Sequence, residues 1–177
     1  MNAVDLFIQN YFTSTRTPTV TEFFGILTSI FDLSPTFFLV LFFLVFIMYK
    51  AKGLKYSILF LSTILSAIFI VYVLKNIFDT SRPLGGVVYA YGGSFPSYHA
   101  TIGAVFFVML MYIFHGSFKS RLAMIFNIFS VSFIILVALS RVYLGVHWLT
   151  DVVVGVVLGL AISHGAILVF RKYFKDL

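Results

Sequence analysis

Ser140-Arg141-Val142-Tyr143-Leu144-Gly145-Val146-His147-Trp148-Leu149-Thr150-Asp151 sets an arginine, a histidine and an aspartate between two long apolar runs. Ionisable groups in or beside hydrocarbon are costly, and where they persist they usually have a function. From His147 to Asp151 is one helical turn, so a helix starting here brings the carboxylate beside the imidazole. A carboxylate in that place fixes the imidazole tautomer and stabilises its charged form, which a histidine nucleophile or base requires. The stretch reads as a reaction centre at a membrane surface.

The flanking runs decide the fold class. Of 177 residues, 61% are hydrophobic, only 10% are charged and 23 are Phe. A soluble chain of this kind would lack polar surface, so the composition points to a polytopic membrane protein. The net charge of +6 is scattered between apolar segments and makes no continuous basic face, so membrane topology accounts for it and nucleic acid is not an expected partner. With 0 cysteines, disulfides, thiolate nucleophiles and cysteine metal sites are excluded. Residues 1–5 lack a basic region leading into an apolar core, so no cleaved signal peptide is expected.

Residues 3–13 and 19–32 mix apolar and polar positions around Arg16-Thr17-Pro18, which suits short interfacial or re-entrant helices. Thr19 or Thr21 is a candidate cap for the second. Asp32-Leu33-Ser34-Pro35 signals a helix start, and the run to Tyr49 makes a first span. After a turn at Gly53, residues 56–74 make a second. Pro83, Gly85, Gly86, Gly92, Gly93 and Pro96 mark an irregular loop over 80–96. Further spans run over 101–114, 122–139 and 148–170. The expected fold is an all-α membrane helical bundle of about five transmembrane helices plus N-terminal interfacial helices. It forms one domain over 1–177, with 1–33 as the N-terminal segment and 34–177 as the core.

Five spans place the turn at 50–55, the loop at 115–121 and the C-terminus on one face. That face holds Lys50, Lys52, Lys55, Lys119, Arg121, Arg171, Lys172 and Lys175, and the positive-inside rule makes it cytoplasmic. The opposite face carries, apart from Arg16, the basic residues Lys75, Arg82 and Arg141, where the rule does not call for them.

Three segments meet on that outer face. In Lys75 to Pro83, a helix carrying Lys75 would stop near Arg82, two turns on, so both cations can point one way; alternatively they snorkel, or Lys75 pairs with Asp79. In Ser94 to Ala100, the unpaired N–H groups of a helix start, helped by Ser97, can hold a phosphate beside His99. The plain alternative is a capping Ser97 and an interfacial histidine. In the opening stretch, Arg141 offers a planar donor fork for phosphate oxygens, against the alternative of a structural Arg–Asp pair. Three cations, two histidines, a serine and an aspartate on one side call for a polyanion.

In order and spacing these segments resemble the type 2 phosphatidic acid phosphatase (PAP2) family. Its Lys, six residues, Arg-Pro pattern is met by Lys75, Arg82 and Pro83. Its Ser-Arg, five residues, His, three residues, Asp pattern is met by Ser140, Arg141, His147 and Asp151. Its Pro-Ser-Gly-His motif stands here as Pro96-Ser97-Tyr98-His99, with tyrosine in place of glycine. Tyrosine restricts the close backbone approach that glycine permits, and Tyr98 is expected to line the entrance and meet a head group.

The resemblance implies that Lys75, Arg82 and Arg141 bind phosphate oxygens, assisted by Ser97 and the neighbouring Tyr98 amide. It implies that His147, held by Asp151, attacks phosphorus to give a phosphohistidine while His99 protonates the leaving group. No cofactor or metal is implied: three fixed cations neutralise the charge that Mg²⁺ handles elsewhere, and the sequence has no acidic cluster or His-rich set. The implied substrate is a lipid phosphate or diphosphate, with undecaprenyl diphosphate first and phosphatidylglycerol phosphate or phosphatidic acid next. A phosphotransferase using the same intermediate and a non-catalytic lipid-binding or transport protein are the competing readings. His164 is expected to be a hydrogen-bonded packing residue, Trp148, Tyr143 and Tyr91 interfacial aromatics, and Gly155 and Gly159 sites of close helix packing.

Overall fold

Apolar helices cannot leave backbone polar groups unpaired in lipid, and the chain meets that demand with helices alone across its apolar stretches. The computed structural model describes residues 2–174; Lys175 lies outside them. Their helices are α1 (Ala3–Thr15), α2 (Pro18–Ser29), α3 (Pro35–Lys52), α4 (Leu54–Phe78), α5 (Tyr98–Ile113), α6 (Ser120–Tyr143) and α7 (Leu149–Phe174). Thr17, rather than Thr19 or Thr21, caps α2, with Pro18 in its first turn. Ser34 and Pro35 start α3 as the sequence signals. Gly53, at φ 87, joins α3 to α4 in a conformation other residues rarely adopt.

The bundle is built around α5, which packs against α4, α6 and α7. Its Ile102, Ala104, Val105 and Met109 are wholly buried. The tightest seam is with α7. A Cβ on Gly155 would stand 2.8 Å from the Ser97 carbonyl oxygen, and one on Gly159 would stand 2.6 Å from that of Thr101. Small residues four apart let the two backbones touch.

Four helices, α3, α4, α6 and α7, are long and apolar enough to cross a membrane, and the shorter apolar α5 stands among them. The protein is a multi-pass membrane bundle. Lys52 Nζ lies 5.8 Å from the Phe114 ring centre and the Arg171 guanidinium 5.4 Å from that of Tyr112. The turn at 50–55, the 115–121 loop and the end of α7 therefore share one end of the bundle. The 80–96 loop and the α6–α7 turn share the other.

The N-terminal helices dock on that second end, α1 against α6 and α7 and α2 against α6. Asp5 is buried and accepts hydrogen bonds from the Thr150 N–H at 3.0 Å and the Thr150 hydroxyl at 2.9 Å. Arg16 donates from Nε to the Tyr143 carbonyl at 3.0 Å and from Nη1 to that of Gly85 at 2.9 Å. Gly145, at φ 72, leaves room for this arginine, since a Cβ there would lie 2.8 Å from its Nη2.

Several expectations are corrected. Helix α4 ends at Phe78, where Asp79 takes the left-handed conformation, so Arg82 reaches the site from a loop and not from the helix of Lys75. Tyr143 and Trp148 are buried, not interfacial, because protein groups satisfy their polar tips: the Tyr143 hydroxyl accepts from the Thr17 N–H and the Trp148 indole donates to the Ser81 carbonyl. His164 is exposed on the outer surface of α7 and is not a packing residue.

Candidate active site

Residues from α4, α5, α6, the loops and the α2–α3 connection line one cavity of about 800 Å³. Lys75, Arg82, Tyr98, His99, Arg141 and His147 all face it, together with Asp32. Ser97 and Asp151 do not line it; they stand behind, buried. Leu65, Ile68, Phe69 and Tyr72 of α4 make an apolar wall beside the charged end.

Asp151 sits in the first turn of α7 and accepts the backbone N–H of Trp148 at 2.9 Å, as an acidic third residue does when it closes a helix start. This holds its Oδ2 3.6 Å from His147 Nδ1, longer than a direct hydrogen bond. His147 precedes α7, so the pairing arises across a helix start rather than within a helical turn. On the other side of the ring, Arg82 Nη1 stands 3.3 Å from Nε2. A guanidinium only donates, so Nε2 accepts and keeps a lone pair while Nδ1 carries the proton toward Asp151. Burial above all, then the charge of Arg82 and the other cations, pushes the His147 pKa well below its usual value, which keeps the ring neutral.

The cations are held by backbone oxygens. Lys75 Nζ donates to the Gly93 carbonyl at 2.5 Å and to that of Ser94 at 3.3 Å, and not to Asp79. Arg82 donates to the carbonyls of Tyr91, Gly92, Gly93 and Val146 at 2.8, 3.0, 3.1 and 2.6 Å. One fork thus ties the 91–93 loop to the turn bearing His147. Burial lowers the Arg82 pKa, with Asp151 opposing; a guanidinium stays charged throughout. Arg141 is buried and donates from Nη1 to the Thr28 hydroxyl at 2.9 Å, while its Nε has no partner.

At the start of α5, Ser97 makes no side-chain cap. Its N–H donates to the Asp151 carbonyl at 3.1 Å, and its buried hydroxyl has no partner. The Tyr98 hydroxyl is likewise buried and unpaired, and the ring meets His99 edge to face at 5.4 Å. An unpaired buried hydroxyl is costly and suits a site whose ligand completes it. His99 Nε2 lies 2.9 Å from Asp32 Oδ1, and that hydrogen bond is the main cause lowering the Asp32 pKa.

Asp32 and Thr28 escaped the sequence reading. Both lie in a stretch whose polar residues were accounted for by helix ends, and their partners are far along the chain. The signal available was an acid beside the first span on the face already assigned to the cations.

The curated phosphatidylglycerophosphatase B of Bacillus subtilis (strain 168) is 37% identical over 91 residues, which is 50% of this chain and 45% of that protein. The match thus spans about half of each. A crystal structure of a transmembrane PAP2 type phosphatidylglycerolphosphate phosphatase from Bacillus subtilis superimposes with a TM-score of 0.86 at 28% identity, covering 98% of this chain and 89% of that one. Aquifex aeolicus LpxE shares the fold, with a TM-score of 0.76 at 20% identity over 94% of this chain and 96% of that one. The model of the PAP2 superfamily matches residues 55–175, the stretch that supplies every cation and both histidines of the cavity, and the chain belongs to that superfamily.

Proposed function

We propose that the protein is a membrane lipid phosphatase that cleaves a lipid phosphate through a phosphohistidine on His147. The observation that carries this is geometric: His147, with Nε2 3.3 Å from Arg82 Nη1, lines a cavity with three cations at one end and an apolar wall along α4. Phosphate fits the cations and a lipid chain fits the wall.

In the first step, Nε2 of His147 bonds to phosphorus as the bond to the leaving oxygen breaks, and His99 gives that oxygen a proton. Lys75, Arg82 and Arg141 stabilise the charge on the phosphoryl oxygens, with the Ser97 hydroxyl and the Tyr98 N–H assisting. Asp151 stabilises the imidazolium through Nδ1–H. Water then gives His99 a proton and attacks phosphorus, and the N–P bond breaks to release inorganic phosphate. No step uses a metal.

The relatives named for phosphatidylglycerol phosphate support that lipid as the first substrate to try, ahead of undecaprenyl diphosphate and phosphatidic acid. The chain works as one domain, because the N-terminal helices contribute to the site. The site faces away from the cytoplasm, since the basic residues outside the cavity, Arg16 apart, gather at the opposite end of the bundle. The test is inorganic phosphate release from these lipids by purified protein in EDTA, with no acceptor present. His147→Ala is expected to release none and to trap no phosphoenzyme; full activity in that variant rejects the proposal. Consumption of lipid without release of phosphate indicates transfer instead.

A further inference from the structure

We infer that Asp32 is a positioning residue for His99, so that the site works with two carboxylate–imidazole pairs instead of one. The inference rests on the phosphatase reading above and extends it to the proton donor.

Asp32 is brought to the cavity by the connection between α2 and α3, and that connection is anchored. Phe31 beside it is buried, with its ring edge on to Phe106 at 5.7 Å. The Asp32 N–H bonds to the Ser29 carbonyl at 3.2 Å, and its own carbonyl accepts from the Ser34 N–H at 2.6 Å. The side chain is thereby held although 56% exposed, with Oδ1 2.9 Å from His99 Nε2. Among the described residues Asp32 is the one carboxylate lining the cavity.

Charge explains why it is needed. His99 must carry a proton when the leaving group departs, yet it stands among Arg141, Lys75 and Arg82. A fourth positive charge there is unfavourable unless an anion sits against the ring. The Asp32 carboxylate can only accept, so Nε2 carries the hydrogen that points at it. Nδ1 is then the nitrogen that exchanges a proton with substrate. In the first step, the Nδ1 proton of the His99 imidazolium passes to the leaving oxygen as the P–O bond breaks. In the second, Nδ1 takes a proton from the attacking water as the P–N bond breaks. Asp32 stays ionised throughout.

The role predicts a dependence on leaving group, which a merely structural residue would not show. A long-chain alkyl phosphate needs its alkoxide protonated, whereas nitrophenyl phosphate expels a stable phenolate. Asp32→Asn is expected to lower kcat about 100-fold on the alkyl ester and far less on the nitrophenyl ester, with Asp32→Glu recovering part of the loss. Equal losses on both esters, or no loss on either, overturn the inference. Nitrogen-15 spectra of the labelled histidines in detergent give a readout free of turnover: His99 is expected to keep its Nε2 hydrogen in the neutral and the charged ring alike, a preference lost in Asp32→Asn. Identical His99 shifts in the two proteins also overturn it. His147→Ala separates the two proposals, because activity surviving there removes the phosphatase mechanism whatever the spectra of His99 show.

Discussion

The Thr28 hydroxyl accepts the Nη1 hydrogen of Arg141 at 2.9 Å, joining residues 113 positions apart. Among the described residues it is the one side-chain hydrogen bond holding that guanidinium, whose Nε has no partner there. Thr28→Val keeps the shape and removes the acceptor, so Arg141 loses its orientation but not its charge. A hydrogen bond to a charged group contributes about 1.5–3 kcal/mol, so kcat/KM should fall by about 10- to 100-fold with the fold intact. Steady-state kinetics on a lipid phosphate, beside a thermal melt, checks this.

Arg82, after burial, should hold down the acid limb of the pH profile. Only the unprotonated Nε2 of His147 can attack, so activity is present above the His147 pKa and lost as pH falls through it. Burial and Arg82 hold that pKa well below its ordinary value, which places the limb well below pH 6.5. Arg82→Gln removes one of the charges that disfavour the imidazolium, so the limb should move to higher pH. The same change should cost about 100-fold in rate. Measuring both proteins on one substrate cancels the titration of the phosphate itself; an unmoved limb would count against the assignment.

The α5–α7 seam should tolerate no side chain. Gly159→Leu sets carbon 2.6 Å from the Thr101 carbonyl oxygen, where only backbone can yield. A loss of about 1–3 kcal/mol is expected for such overpacking, seen as earlier thermal aggregation in detergent. Gly165, with nothing within 4 Å of its added Cβ, is the control.

Sidedness has a direct test in a chain with 0 cysteines. Tyr89→Cys, in an 89% exposed position of the 80–96 loop, should react with a membrane-impermeant maleimide in intact cells. Lys119→Cys should react only after permeabilisation. The reverse pattern would place the site in the cytoplasm.

The parts of this protein legible in its sequence are those whose partners are close in the chain or fixed by pattern. Gly155 and Gly159 gave the α7 seam, and Ser34-Pro35 gave the start of α3. The motifs of Lys75, Arg82, Ser97, His99, Arg141, His147 and Asp151 named the residues that the fold gathers at one end. What stayed hidden depends on tertiary placement. Asp32 looked like part of a helix-start signal, and only folding sets it against His99, 67 residues on. Arg82 looked like a continuation of the Lys75 helix, because nothing local announces the left-handed turn at Asp79. His164 looked internal because it falls in the middle of an apolar run, and the side of α7 it faces is decided by where the glycines dock.

The central helix is also the shortest of the five apolar helices α3–α7. With 16 residues, α5 rises about 24 Å, less than the roughly 30 Å of hydrocarbon in a bilayer. If its far end lies level with the opposite surface, Ser97 and the phosphate cradle sit several ångströms below the head-group plane. A lipid phosphate would have to sink and shed water to reach Nε2 of His147, drawing its tail down along α4. Bilayer thickness then becomes a control on turnover, and thicker membranes should slow the enzyme without any change in its chemistry.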